Sequence, residues 1–142
     1  MINRQTFTIH FKLPSLNDYI CACRRNKYAG AKFKAEIERD ICWAIKAAKL
    51  RPVDNKCIVC MTFIEGNHKR DVDNVESAKK FIADSLVSCG ILQGDSPKWV
   101  VAAPSFTVYD KAPRVIVELI DGSPDELHAL VKNARAAYEV GE

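Results

Sequence analysis

Residues 56–65 read Lys-Cys-Ile-Val-Cys-Met-Thr-Phe-Ile-Glu, a near-continuous apolar run closed by Gly66 and Asn67. A short run of this kind, rich in β-branched and aromatic residues, suits a strand inside a sheet rather than at its edge. Residues 6–13 alternate instead, with Phe7, Ile9, Phe11 and Leu13 on one face and Thr6, Thr8, His10 and Lys12 on the other. That is the pattern of a half-buried strand, and Pro14 stops it. Residues 99–102 and 106–109 read as strand interrupted at Pro104, and residues 114–120 as a further strand.

Helical periodicity fills the intervals. Over residues 30–50, Phe33, Ile37, Ile41, Ala44, Ile45 and Ala48 form an inner stripe. Val75, Ala78, Ile82, Leu86 and Cys89 form another, so a helix is expected to begin just after Asp73 and to end at Gly90, a residue suited to a left-handed cap. Ser123-Pro124-Asp125-Glu126 opens a last helix with an N-cap serine, a first-turn proline and a glutamate at the capping-box position. Residues 14–18 read as loop. The expected order is β-α-β-α-β-β-α, a mixed sheet backed by helices in a single α/β domain.

The chemistry concentrates where the apolar strand hands over to the second helix. Asp71-Val72-Asp73-Asn74 is followed by Lys80, Asp84 and Asp95. At about 100° per residue, Asp73, Lys80 and Asp84 fall together opposite the apolar stripe, whereas Lys79 lies ~120° away from Asp73. Carboxylates gathered so closely repel one another unless a cation sits among them, and hard oxygen ligands suit Mg²⁺, or Mn²⁺. Each acid also has a plain reading. Asp73 with Glu76 can cap the helix, and Lys80 with Asp84 can be a surface i,i+4 pair. Only their alignment points to a site.

A net charge of +3 says little by itself, but residues 20–34 hold Arg24, Arg25, Lys27, Lys32 and Lys34 with no acid. Without those five, 16 of the 21 basic residues remain against 18 acids. One positive segment, with Tyr19 and Tyr28 beside it, is a footprint for a polyanion, and Lys69 and Arg70 extend it to the acidic motif. No apolar run approaches the ~20 residues of a membrane span, so no membrane partner is expected. The N-terminus has no signal-peptide core behind Met1-Ile2-Asn3-Arg4-Gln5, and the six cysteines are expected as reduced thiols in a cytoplasm. Cys57-x-x-Cys60 with Cys21-x-Cys23 nominates a zinc site, but an odd separation in a strand sends the first pair to opposite faces.

Arg70-Asp71-Val72-Asp73-Asn74, Lys80, Asp84-x-Leu86, Gly90 and Asp95 together resemble the RusA family of Holliday-junction resolvases, often encoded by phages and prophages. Leu13-Pro14-Ser15-Leu16-Asn17 and Arg24-Arg25-Asn26-x-Tyr28-Ala29-Gly30-Ala31 are similar to its phage branch. The resemblance covers the chain from its first strand to about Arg114. It implies a RusA-like domain over residues 1–122 and a C-terminal helical extension over 123–142 packed on it. It implies a homodimeric, Mg²⁺-dependent endodeoxyribonuclease of DNA recombination and repair, nicking four-way or other branched DNA symmetrically in a bacterial host cytoplasm, on the nucleoid when DNA-bound. Asp71, Asp73 and Asp95 then become metal ligands, Lys80 the active-site lysine, Asp84 a recurrent acid that can join the metal set, and Asn74 a supporting residue. Arg24, Arg25, Lys27, Tyr28, Lys32, Lys34, Lys69 and Arg70 become the DNA contacts. Two features depart from the family pattern. Lys80 follows Asn74 by six residues where the family core commonly has three, and Gly94-Asp95 replaces two adjacent acids. The alternative is a non-catalytic nucleic-acid-binding protein whose acidic cluster is structural.

Overall fold

The computed structural model describes residues 2–11 and 13–140, apart from the side chains of Leu16, Asp73 and residues 134–140. In chain order the elements are β1 (Asn3–Ile9), α1 (Leu16–Arg25), α2 (Lys27–Ala47), β2 (Cys57–Glu65), α3 (Val72–Glu76), α4 (Lys79–Ser88), β3 (Val100–Ala102), β4 (Ser105–Tyr109), β5 (Arg114–Asp121) and α5 (Pro124–Val140).

The apolar run is interior, as its composition requires. β2 lies between β5, which it meets antiparallel, and the pair β3 and β4, which run parallel to it along its other edge. β1 closes the far side of β5 antiparallel, completing a mixed five-stranded sheet in one small α/β domain. β3 and β4 are successive pieces of one edge. The interruption falls at Ala103-Pro104, where Pro104 has no N–H to give a ladder, yet its carbonyl still accepts from Met61 N at 3.0 Å.

Alternation sorts the side chains onto two faces. Phe7, Ile9, Cys57, Val59, Met61, Phe63, Val115, Val117 and Leu119 turn to the helices and form the main core with Ile41 and Ile45 of α2 and Ile82 and Leu86 of α4. On the opposite face Ile58 and Ile120 meet Leu127 of α5 in a smaller cluster. The start of α5 follows its local sequence: Ser123 Oγ accepts from Glu126 N at 3.2 Å and Glu126 Oε1 accepts from Ser123 N at 3.0 Å. Residues 141 and 142 of the expected extension lie outside the described residues.

Gly90 ends α4 at φ +78°, where its N–H donates to Val87 O and the next N–H, of Ile91, donates to Leu86 O. This is a Schellman closure, and the buried Leu86 and Ile91 supply its apolar contact.

Four expectations require correction. Residues 14–18 open a helix, not a loop: Ser15 Oγ accepts from Asp18 N at 3.2 Å while Asp18 Oδ2 accepts from Ser15 N at 3.0 Å, and this capping box starts α1. Asn26 is extended and serves as the C-cap of α1 and the N-cap of α2, so α2 begins at Lys27 rather than residue 30. Gly30 permits this corner, since a Cβ there would lie 2.8 Å from Cys23 Sγ. The motif helix is two helices, α3 and α4, separated at Ser77-Ala78, and it starts at Val72, before Asp73. β1 ends at Ile9, short of the predicted residue 13, and Lys12 lies outside the described residues.

Candidate active site

β2 delivers the chain to the motif, and one residue anchors the junction. Arg70 Nε and Nη2 donate to Glu65 Oε1 and Oε2, both at 2.9 Å, and its Nη1 donates to the carbonyl of Leu13 at 2.9 Å. Glu65 sits at the inner end of β2 and is only 5% exposed, so its charge requires such a partner. The fork therefore ties the end of β2 to the segment after β1 and fixes where Asp71 begins. Arg70, expected as a DNA contact, has its guanidinium engaged within the fold by Glu65 and Leu13.

Asp71 is exposed at the N-cap position of α3, and its carbonyl accepts from Val75 N at 3.1 Å. Among the described residues its carboxylate has no ion pair. The side chain of Asp73 lies outside the described residues. Asn74 is half-buried, and its carbonyl accepts from Ser77 Oγ at 2.7 Å as α3 ends. Glu76 does not reach back to a capping box; it takes the hydroxyls of Ser105 and Thr107 on β4. That pins α3 to the sheet edge and accounts for the break before α4.

The two neighbouring lysines part at the start of α4. Lys79 Nζ donates to the carbonyl of Ala103, in the gap between β3 and β4. Lys80 Nζ lies 3.1 Å from Asp84 Oδ1 and 2.9 Å from Asp95 Oδ2. Asp84 Oδ2 in turn lies 3.1 Å from Lys34 Nζ of α2. The result is a row of alternating charge, Lys34, Asp84, Lys80 and Asp95, linking two helices and the loop before β3. Lys79, Lys80 and Asp95 all border a cavity of about 290 Å³ with Met61, Leu92 and Val100. The hydrogen bond and charge of Lys80 hold the Asp95 carboxyl below its usual range. Hydrogen bonds to Asp95 and Asp84 raise the Lys80 ammonium, so the pair stays ionised on both sides of neutrality.

Glu38, one turn after Lys34 on α2, escaped the sequence reading. Its Oε2 is buried without a hydrogen-bond partner among the described residues, and burial pushes its carboxyl up. Its helical spacing from Lys34 was the available signal, but only folding brings both beside α4.

The basic segment divides. Arg24 and Arg25 occupy the last turn of α1, Lys27 and Tyr28 the first turn of α2, and all are exposed, Tyr28 at 84%. Cations at the α1 C-terminus also suit its dipole, which gives the arginines a structural reason as well. Lys32 is exposed, 4.0 Å from Glu36, and Lys34 is committed to Asp84. Lys69 is exposed beside the motif. Tyr19 turns inward, edge-on to Phe81 at 5.4 Å.

The donor chemistry of Asp71, Asp73 and Asp95 fits Mg²⁺, since all are hard carboxylates. Among the described residues, which omit the Asp73 side chain, no three His, Cys, Asp or Glu side chains gather to hold a metal. Cys57 belongs to the helix-covered core and its thiol is pushed up to about 11 by burial, whereas Cys60 borders a cavity with Ile58 and Ile120 of the opposite face. The pair cannot pinch one zinc ion. No helix of the described residues is long and apolar enough to cross a membrane.

A scan against protein-family models finds no match to this chain, and a search of curated proteins finds none.

Proposed function

We propose that this protein is a Mg²⁺-dependent endodeoxyribonuclease of the RusA type, cutting four-way or other branched DNA by paired nicks as a homodimer. The observation that carries this reading is Lys80, held between Asp84 and Asp95 at the mouth of a cleft that the Asp71-Val72-Asp73-Asn74 turn adjoins in sequence. A lysine presented beside carboxylates and open to solvent, with its side chain 67% exposed, can meet a phosphate. A core pair would be sealed from one.

Asp71, Asp73 and Asp95 would hold the Mg²⁺, which when bound supplies an activated water and neutralises charge on the leaving oxygen. Lys80 sets a positive charge where the scissile phosphate gains negative charge, and that interaction strengthens toward the transition state. Asn74 supports the turn that carries Asp73. Arg24, Arg25, Lys27 and Tyr28, with Lys32 and Lys69, supply backbone contacts away from the reacting phosphate, which position DNA without reading its sequence. Two copies related by a two-fold axis would match the symmetry of a four-way junction. The chain exceeds the family spacing between Asn74 and Lys80, an interval that here holds the end of α3 and the start of α4.

The test is incubation with a mobile four-way junction, a fork and a linear duplex in Mg²⁺. Symmetric nicks in the junction are expected, with the duplex left intact. Binding of the junction without cleavage would return the protein to a non-catalytic nucleic-acid-binding role.

The basic corner makes its own prediction. Replacing Arg24, Arg25 and Lys27 with alanine should weaken junction binding, and each lost phosphate contact should reduce the slope of log K against log salt by roughly 0.9. An unchanged slope in a titration at several salt concentrations would place the DNA surface elsewhere.

A further inference from the structure

We propose that Asp84 is a positioning residue for Lys80 rather than a metal ligand, and that Lys34 holds Asp84 in place from α2 instead of contacting DNA. This rests on the nuclease reading above and assigns the parts of that site. Both oxygens of Asp84 are committed to ammonium groups, Oδ1 to Lys80 and Oδ2 to Lys34, each at 3.1 Å. A divalent ion there would have to displace one of the two ammonium groups, whereas Asp95 meets Lys80 through Oδ2 alone. Exposure runs the same way: the Asp84 side chain is 22% exposed, against 43% for Asp95 and 67% for Lys80. Asp84 is the sheltered member and Lys80 the presented one.

A lysine side chain is long and loses much rotamer freedom when fixed. An exposed i,i+4 pair contributes little to stability, so the pair's value lies in geometry. With Asp84 on its own helix and Asp95 across the cleft, Lys80 is held from both sides, and one of its three N–H donors is left for a phosphate. Lys34 keeps Asp84 from rotating away, and so ties α2 to the site. Glu38 and Tyr19 also face Lys34, and Glu38 feels the charges of Asp84 and Lys80, with no hydrogen bond or ion pair from Glu38 to Lys80 among the described residues.

The experiment is single-turnover cleavage of a four-way junction over a range of Mg²⁺ concentrations, with the salt dependence of junction binding measured in parallel. Asp84→Asn and Lys34→Met should each lower the rate at saturating Mg²⁺ by about tenfold to a hundredfold, the scale of a misplaced reacting group. The Mg²⁺ concentration for half-maximal rate should stay within about twofold of wild type, since no ligand is lost. Lys34→Arg should recover most of the rate that Lys34→Met loses, and the salt slope of Lys34→Met should equal that of wild type. A raised Mg²⁺ requirement for Asp84→Asn with a normal saturating rate would make Asp84 a ligand and overturn the proposal. A normal rate for Lys34→Met with the slope reduced by about 0.9 would make Lys34 a DNA contact and overturn it equally. Should Asp84→Asn fail to fold, the Lys34 variants decide. Wild-type protein that does not cleave defeats the nuclease reading itself, and this assignment with it. Cleavage by wild type and both variants alike defeats only the assignment.

Discussion

Arg70→Ala is expected to destabilise the fold by about 3–5 kcal/mol, the cost of leaving a buried charge without its partner. The Arg70 and Glu65 side chains are 17% and 7% exposed, and the guanidinium meets both carboxylate oxygens and the Leu13 carbonyl. Against a typical total of about 5–15 kcal/mol, such a loss is large. Arg70→Lys should recover little, because an ammonium cannot reproduce the planar fork that spans both oxygens. The Glu65→Gln, Arg70→Ala double variant should be more stable than Arg70→Ala alone, since it removes the orphaned charge. Urea denaturation of all three checks this. A loss below about 1 kcal/mol for Arg70→Ala would mean that the pair behaves as a surface ion pair and does not anchor the motif.

Lys80→Ala should lose most of the cleavage rate, about tenfold to a thousandfold, while Lys79→Ala should retain it. The two side chains leave adjacent residues in different directions. Lys80 joins Asp84 and Asp95, and Lys79 bonds the Ala103 carbonyl at the edge of the sheet. Removing Lys79 leaves that exposed carbonyl to water and should cost about 1 kcal/mol of stability at most. Single-turnover cleavage by both variants decides. Both lysines border the same cavity, so a dead Lys79→Ala beside an active Lys80→Ala would overturn the assignment of Lys80 as the lysine that meets the phosphate.

What was legible in the sequence was written locally. The interior strand, the alternation of β1, the interruption at Pro104, the Gly90 cap and the Ser123 capping box each follow from a few adjacent residues. α1 was also local, through Ser15 and Asp18, but Pro14 and Asn17 mimic loop chemistry and hid it. The break between α3 and α4 was not local. Val75, Ala78 and Ile82 keep an apolar stripe across it, and the break follows from Glu76 reaching Ser105 and Thr107 on a strand formed about thirty residues later. Of the expected face, Lys80 and Asp84 meet because they share α4, whereas Asp73 belongs to α3 and its side chain lies outside the described residues. For Arg70 and Lys34 the charge was visible and its partner was not: Glu65 meets Arg70 across a tight turn, and Asp84 meets Lys34 only when α4 packs on α2.

The central claim is that carboxylates at this strand-to-helix junction do metal-assisted chemistry on DNA. Its most direct measurement compares wild type with Asp73→Asn on a mobile four-way junction in Mg²⁺, with binding followed in parallel. Asp73 lies in the first turn of α3, where losing its charge should cost no more than about 1 kcal/mol through the helix dipole, so the variant should fold. Wild type should produce paired symmetric nicks. Asp73→Asn should produce none yet bind the junction as tightly or more tightly, because one repulsive charge toward phosphate is gone. Folded Asp73→Asn that nicks the junction at the wild-type rate would contradict the claim.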